Sequence, residues 1–364
     1  MKLPEKESLV KQTILVLQEM MHTGQIASPI PGERALSRDL QIGRDTLRAA
    51  LIELTKTGWI SESAQGKRRE ILKTSKPVNA SKKAQNRVIF ICPQRLEEFP
   101  RVMLVELNSL RSLLAKRGIT VDVINPAIFN TAQPGKRLQQ LLADYPANAW
   151  VLYRCPEPVQ RWFQENKIPC VVRGYPHPNI SLPFLDEDWH AAAFHAGSRL
   201  ISNGHKSIGI LLPNISLAGL QAAEDGLKDA VAKVDDSYSY QVIRENHDLT
   251  STVQSMQKAL ASPTPPSAII ATRSRHILNL VSWLATFGYS IPEHLSVVAL
   301  CHEPWFDELY SPISHYSSSP EAMSKNLSKQ VRHLLNGTPI PAKNSLIFPE
   351  LREGQSIKNL TQKV

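Results

Sequence analysis

Apolar residues near the N-terminus recur at helical spacing. Leu9, Ile14, Leu17, Met20 and Met21 share one face of a 3.6-residue period, which predicts an amphipathic helix over 7–23, stopped by Gly24. A short second helix is predicted over 35–40, a tight turn at Ile42-Gly43, and a third helix over 44–57 stopped by Gly58. In that third helix Leu47, Ala50, Leu51 and Leu54 face inward. Trp59-Ile60-Ser61 and residues 69–72 read as short strands on either side of Gln65-Gly66-Lys67. The order is helix, helix-turn-helix, two-stranded wing.

From residue 87 the pattern changes to alternating strands and helices. Strands are predicted over 87–92, 119–124, 149–153, 169–173, 207–212, 240–244, 268–271 and 295–300. Helices are predicted over 102–117, 138–144, 158–166, 188–202, 217–234, 250–261, 277–287 and 321–336. Continuous apolar strands between helices are the pattern of parallel sheets covered on both faces. A break near 175–190 divides this region into two lobes, and ligands of such folds bind at the carboxyl ends of the strands. The expected fold class is multidomain: an all-α, winged-helix N-terminal domain over 1–75, a polar and basic tether over 76–86, and a two-lobed α/β domain over 87–364.

Charge sharpens this division. The chain of 364 residues carries a formal net charge of +9. Residues 1–86 hold fifteen Lys or Arg against nine Asp or Glu, so about two-thirds of the excess sits in the first quarter. Positive charge concentrated in this way attracts phosphate. The four cysteines, Cys92, Cys155, Cys170 and Cys301, form no C-x-x-C pair and read as reduced thiols, with no zinc spacing. Neither a signal-peptide core nor an apolar run near the ~20 residues of a membrane span is present, so the expectation is a cytoplasmic protein without a membrane partner. The chain shows no G-x-S-x-G, Walker or H-E-x-x-H motif, and His190 and His195 are five apart, which is not a metal-binding spacing on a helix. No catalytic residue, metal or cofactor is therefore expected.

The third helix can lie in a DNA major groove, with Arg44, Asp45, Thr46 and Arg48 toward base edges. A bidentate arginine–guanine pair discriminates by about 1–3 kcal/mol. Arg34 and Arg38 on the preceding helix are placed for phosphates, and Gly66, Lys67 and Arg68 at the wing tip for a neighbouring groove or backbone. The runs Ile30-Pro31-Gly32-Glu33-Arg34-Ala35-Leu36 and Ile42-Gly43-Arg44-Asp45-Thr46-Leu47-Arg48-Ala49-Ala50-Leu51, followed by Leu54 and Gly58, resemble the GntR-type winged helix. That resemblance implies DNA contacts by Arg34, Arg44 and Arg48. The sequence departs from the family at Gly32 and Gly43, where Ser, or Ser or Thr, is usual, and the second departure removes a phosphate-contacting hydroxyl.

The C-terminal region resembles the LacI/GalR-type sensor, itself similar to periplasmic sugar-binding proteins. The resemblance rests on Leu200-Ile201-Ser202-Asn203-Gly204-His205-Lys206-Ser207-Ile208-Gly209, on Asp188 at the head of the preceding helix, on Pro266-Ser267-Ala268-Ile269-Ile270, and on Gly288-Tyr289-Ser290-Ile291-Pro292-Glu293-His294-Leu295-Ser296-Val297-Val298. His205 has a structural role in that pattern. Together the halves look like a GntR–LacI fusion of the arabinose-repressor-like kind. This implies a homodimeric repressor that binds a double-stranded operator and is released by a small-molecule effector such as a sugar.

The family's sugar-gripping positions are replaced. Ala223 stands where an arginine precedes Gly226, Arg273-Ser274 replaces Asn-Asp, and Ala299-Leu300-Cys301 replaces Gly-Phe-Asp. Arg95, Arg154, Arg173 and Arg273 lie near strand ends, and their convergence would suit an anionic sugar derivative. Tyr175, His302 and Trp305 could add stacking or hydrogen bonds, and Asp188, Ser274 and Cys301 complete the candidate effector set. Three alternatives remain: a regulator whose sensor serves only dimerisation or protein contact, a solute-binding module, and an enzyme.

Overall fold

The computed structural model describes residues 9–22, 26, 28–40, 42–62, 69–72, 86–126, 128–129, 133–246, 248–341 and 346–361. It divides into two compact units, Met1–Lys83 and Ala84–Val364.

In the first unit, helices α1 (Leu9–His22), α2 (Glu33–Asp39) and α3 (Arg44–Lys56) enclose a small core. Leu17, Met21, Leu36, Leu47, Leu51 and Leu54 are buried there, as their helical spacing requires. Gly58, at a φ of 71°, ends α3 in the left-handed region that glycine enters without strain. Beyond it, Ile60 bridges Ile71 in antiparallel fashion, flanked by Ser61 N–H to Glu70 O at 2.8 Å and Leu72 N–H to Trp59 O at 2.9 Å. Gly66, Lys67 and Arg68 lie outside the described residues, as does most of the tether. Gly32 and Gly43 hold the N-cap positions of α2 and α3 in extended conformation, without a side-chain cap.

The second unit contains two parallel-rich sheets. The first is built from β1 (Arg87–Ile91), β2 (Thr120–Ile124), β3 (Ala149–Tyr153), β4 (Cys170–Arg173), β5 (Phe184–Glu187) and β11 (Leu346–Ile347). Its order is β11-β5-β4-β3-β1-β2, with every pair parallel. The second comprises β6 (Ser207–Pro213), β7 (Ser239–Glu245), β8 (Ala268–Ala271), β9 (Ser296–Ala299), β10 (Ser314–Ser317) and β12 (Glu350–Arg352). It runs β12-β10-β9-β8-β6-β7, parallel except for the edge strand β12.

Helices α4 (Arg101–Ala115), α5 (Gly135–Asp144), α6 (Glu157–Glu165) and α11 (Pro320–Leu335) cover the first sheet. Helices α7 (Trp189–Ser202), α8 (Ala218–Val231), α9 (Leu249–Leu260) and α10 (Ser274–Thr286) cover the second. Met323, Leu327 and Val331 of α11 bury against Val88, Phe90 and Leu107 of the first lobe. The chain therefore passes between lobes three times: after β5, after β10, and between β11 and β12.

The eight long apolar strands were expected, but β5, β10, β11 and β12 were not. Phe184-Leu185-Asp186-Glu187 and Ser314-His315-Tyr316-Ser317 bury polar groups by pairing them, so they show no apolar run. His205 is buried, with Nδ1 2.9 Å from Ser267 Oγ and Nε2 3.1 Å from Lys358 O. It ties the head of β6 to the C-terminal segment. Helices α7 and α8 pack backbone to backbone at Gly226, where an added Cβ would stand 2.2 Å from His190 O.

Candidate functional site

The carboxyl ends of both sheets open on a cavity of about 190 Å³. The first lobe contributes Tyr153, Arg154, Arg173, Tyr175, Asp186 and Glu187, together with Met103 and Glu106 from α4. The second contributes the start of α8, Leu217 to Leu220, with Ala223, Thr272, Arg273 and Leu300. Parallel α/β folds place ligands at this end because helix N-termini and strand carboxyl ends converge there.

Arg173 is the most heavily engaged group. It donates from Nε to Glu106 Oε1 at 2.8 Å, from Nη2 to Glu106 Oε2 at 3.0 Å and to Glu187 Oε2 at 3.2 Å, and from Nη1 to Asp186. One buried cation faces two buried carboxyls, Glu106 and Asp186, and the partly buried Glu187. Burial pushes Glu106 and Asp186 above the ordinary carboxyl range, against the pull of Arg173. Burial also acts to raise Glu187, but the Arg173 charge and the hydrogen bond from Asp186 outweigh it and hold Glu187 low. Trp189 Nε1 donates to Asp186 Oδ2 at 3.3 Å, and Tyr175 Oη accepts from Trp189 N–H at 3.0 Å.

Two further arginines face the cavity, one from each lobe. Arg154, just past β3, sits at a φ of 50°. Such a conformation costs an ordinary residue about 1–3 kcal/mol. Its Nη1 donates to Gln94 Oε1 at 3.1 Å, and its guanidinium lies 5.2 Å from the Tyr153 ring centroid. Arg273, at the end of β8, is pushed down to about 10, first by burial and then by the charge of Arg154, while Glu245 works in the opposite direction. Arg273 is also the N-cap residue of α10, and Leu217 that of α8; neither supplies a side-chain cap.

Of the ten effector candidates, Arg154, Arg173, Tyr175 and Arg273 meet in this cavity. The other six do not. Arg95 is exposed at the head of the 3-10 turn Leu96–Glu98. Asp188 caps α7, accepting from Ala191 N–H at 2.9 Å. Ser274 hydrogen-bonds Glu303, and Cys301 and Trp305 pack on the core of the second lobe. His302 pairs with His315 at 2.9 Å beside a separate hollow near the start of α11. Sequence reasoning missed Glu106, Asp186, Glu187 and Trp189. The acidic run Asp186-Glu187-Asp188 ahead of a helix was the signal available for two of them.

In the first unit, Arg34, Arg44, Asp45 and Arg48 are exposed and Thr46 is half-buried. Arg48 Nε donates to Glu33 Oε2 at 2.9 Å, and Arg69 Nη1 to Glu33 Oε1 at 3.3 Å. The Arg48 hydrogen bond is the main reason that Glu33 sits below its ordinary value. Glu33 thus joins the start of α2 to α3 and to the strand after residue 68.

Residues 198–357 match the periplasmic binding protein-like domain family. The chain is 28% identical over 139 residues to the HTH-type transcriptional repressor CytR of Escherichia coli, covering 37% of this chain and 40% of that protein. It is 21% identical over 201 residues to a Bacillus subtilis protein named "Probable HTH-type transcriptional repressor ExuR", covering 54% of this chain and 60% of the relative. Both alignments thus span less than two-thirds of the relative. A Bacillus cereus subsp. cytotoxis protein named "putative transcriptional regulator LacI" superposes with a TM-score of 0.67 at 17% identity, over 76% of this chain and 99% of that one. Residues 198–357 are thus similar to the periplasmic binding protein-like domain, and the second unit has the two-sheet fold of that solved structure. Among the described residues no helix is long and apolar enough to cross a membrane.

Proposed function

We propose that this chain is a cytoplasmic, sequence-specific DNA-binding transcription regulator, acting as a homodimeric repressor under the control of a small-molecule effector. The first unit serves as a GntR-type winged helix-turn-helix, with Arg44, Asp45, Thr46 and Arg48 at the start of the recognition helix and Arg34 on the phosphates. The second unit binds the effector between its lobes. The observation that carries this reading is a ligand-sized cavity between two sheets of LacI-type fold, in one chain with a helical unit whose α3 opens on exposed Arg44 and Arg48. An effector bound between the lobes changes their angle about the three crossing segments. In a two-fold dimer that change alters the spacing of the DNA-binding units, and operator affinity follows.

The test is fluorescence anisotropy with operator DNA, with and without an effector. An effector that leaves operator affinity unchanged refutes the control mechanism. A second reading makes the C-terminal unit a dimerisation body only. It is favoured by one observation: Arg173 is saturated by the protein's own carboxyls, so part of the cavity wall satisfies itself. A ligand that binds the folded state must raise the unfolding midpoint, so thermal-shift screening separates the two readings.

A further inference from the structure

We infer that the cavity is built for a compact, hydroxylated organic anion, its charged group held between Arg154 of one lobe and Arg273 of the other and its hydroxyls met by the carboxyls around Arg173. The inference rests on the reading of the cavity as the effector site, and adds the charge and orientation of the ligand.

The two ends of the cavity differ in chemistry. At one end the Arg173 cluster is internally balanced: Glu187 offsets the guanidinium, and Asp186 and Glu106 are held toward their neutral forms by burial. Carboxyl groups balanced by a buried guanidinium suit hydroxyl donors and attract an ammonium group less than free carboxylates would. At the other end Arg154 and Arg273 both line the cavity, and the Arg154 charge bears on Arg273. Glu245, which also pairs with buried His276 at 3.2 Å, offsets part of the Arg273 charge. The backbone of Arg154 is held in the left-handed region at the cavity edge, and a long side chain in that conformation marks a site where the fold imposes position.

Two helix N-termini add to the same field. Helices α8 and α10 begin on this cavity with no side-chain acceptor at the cap; α4, α5 and α6 also lack one. Helix N-termini and arginines at one end favour an anion. The walls between, including Met103, Leu217, Leu220 and Leu300, are apolar, which strengthens every charge interaction inside. A volume of about 190 Å³ suits a compact ligand.

The pair also explains coupling to lobe closure. Arg154 and Arg273 belong to opposite lobes, so their like charges oppose closure of the empty cavity. An anion bound between them turns that repulsion into two attractions. A neutral sugar lacks this lever.

The test uses the full chain in thermal-shift and calorimetric titrations with glucose, glucuronate, glucose 6-phosphate and inorganic phosphate at equal millimolar concentration. Glucuronate or glucose 6-phosphate is expected to raise the unfolding midpoint by several degrees, and their relative strength separates carboxylate from phosphate as the anionic group. Arg154→Asn, which tolerates the left-handed backbone, and Arg273→Met are each expected to weaken that ligand at least tenfold. If glucose shifts the midpoint equally, and Arg154→Asn leaves its binding unchanged, the anion clamp is overturned while the effector reading stands. Inorganic phosphate as effective as glucose 6-phosphate overturns the hydroxyl end. No shift with any of the four overturns the inference. The effector reading then falls separately, if neutral sugars and nucleosides also leave the midpoint unmoved.

Discussion

Replacement of Arg173 by Met removes one buried cation from among three carboxyls. The side chain is 6% exposed and donates to Glu106 twice, to Asp186 and to Glu187. Breaking a buried ion pair by removing one partner costs about 3–5 kcal/mol, because the remaining charge stays buried without compensation. Glu187 then loses its cation while Glu106 and Asp186 lose their donor, so Arg173→Met is expected to cost about 3–5 kcal/mol near neutral pH. The pH dependence has a definite sign. Glu106 and Asp186 already sit above their ordinary values, so the stability tied to them is full below about 4 and falls as pH rises toward their folded values. Without Arg173 both rise further, and Glu187 loses the cation that holds it down. The destabilisation therefore grows with pH above about 4. Urea unfolding followed by tryptophan fluorescence at mildly acidic and mildly alkaline pH measures this directly. Loss below about 1 kcal/mol at neutral pH, or a loss larger on the acidic side, refutes the reasoning. Replacing Arg173, Glu106, Asp186 and Glu187 together by apolar residues of similar size is expected to recover most of the loss.

Three further outcomes are expected. Gly226→Ala forces a Cβ to 2.2 Å from His190 O and must part α7 from α8, at about 1–3 kcal/mol or more, measurable by the urea midpoint. Arg44→Ala and Arg48→Ala should each weaken operator binding by about 1–3 kcal/mol in anisotropy titrations, while leaving the fold unchanged by circular dichroism. Gly43→Ser meets only Thr46 Oγ1, at 3.9 Å, and is expected to stabilise the N-terminal unit by a few tenths of a kcal/mol while tightening DNA binding through a new hydroxyl.

The parts legible in the sequence were those written in periodicity. The buried faces of α1 and α3 follow from Leu17, Leu47, Leu51 and Leu54, and the long strands of both sheets from unbroken apolar runs. The crossing strands were not legible, because Asp186 and His315 are buried through pairing and look like loop residues in isolation. Strand-end position brought Arg154, Arg173, Tyr175 and Arg273 to one cavity. What Arg173 does there was hidden. Its partner Glu106 lies 67 residues earlier, on a helix whose spacing marks that position only as inward-facing. Arg95 and His302 fall outside because a loop residue near a strand end can point in several directions, which spacing alone does not decide. Asp188 had a nearer task, the first turn of α7.

The most direct test of the central claim is selection of bound sequences by the full chain from a random double-stranded DNA library, followed by titration of the enriched sequence against an unrelated one. The expected result is a single motif with two-fold symmetry, bound at least about 10³-fold more tightly than unrelated DNA at physiological salt. Equal affinity for all sequences, or no binding, would contradict the assignment of this chain as an operator-specific regulator.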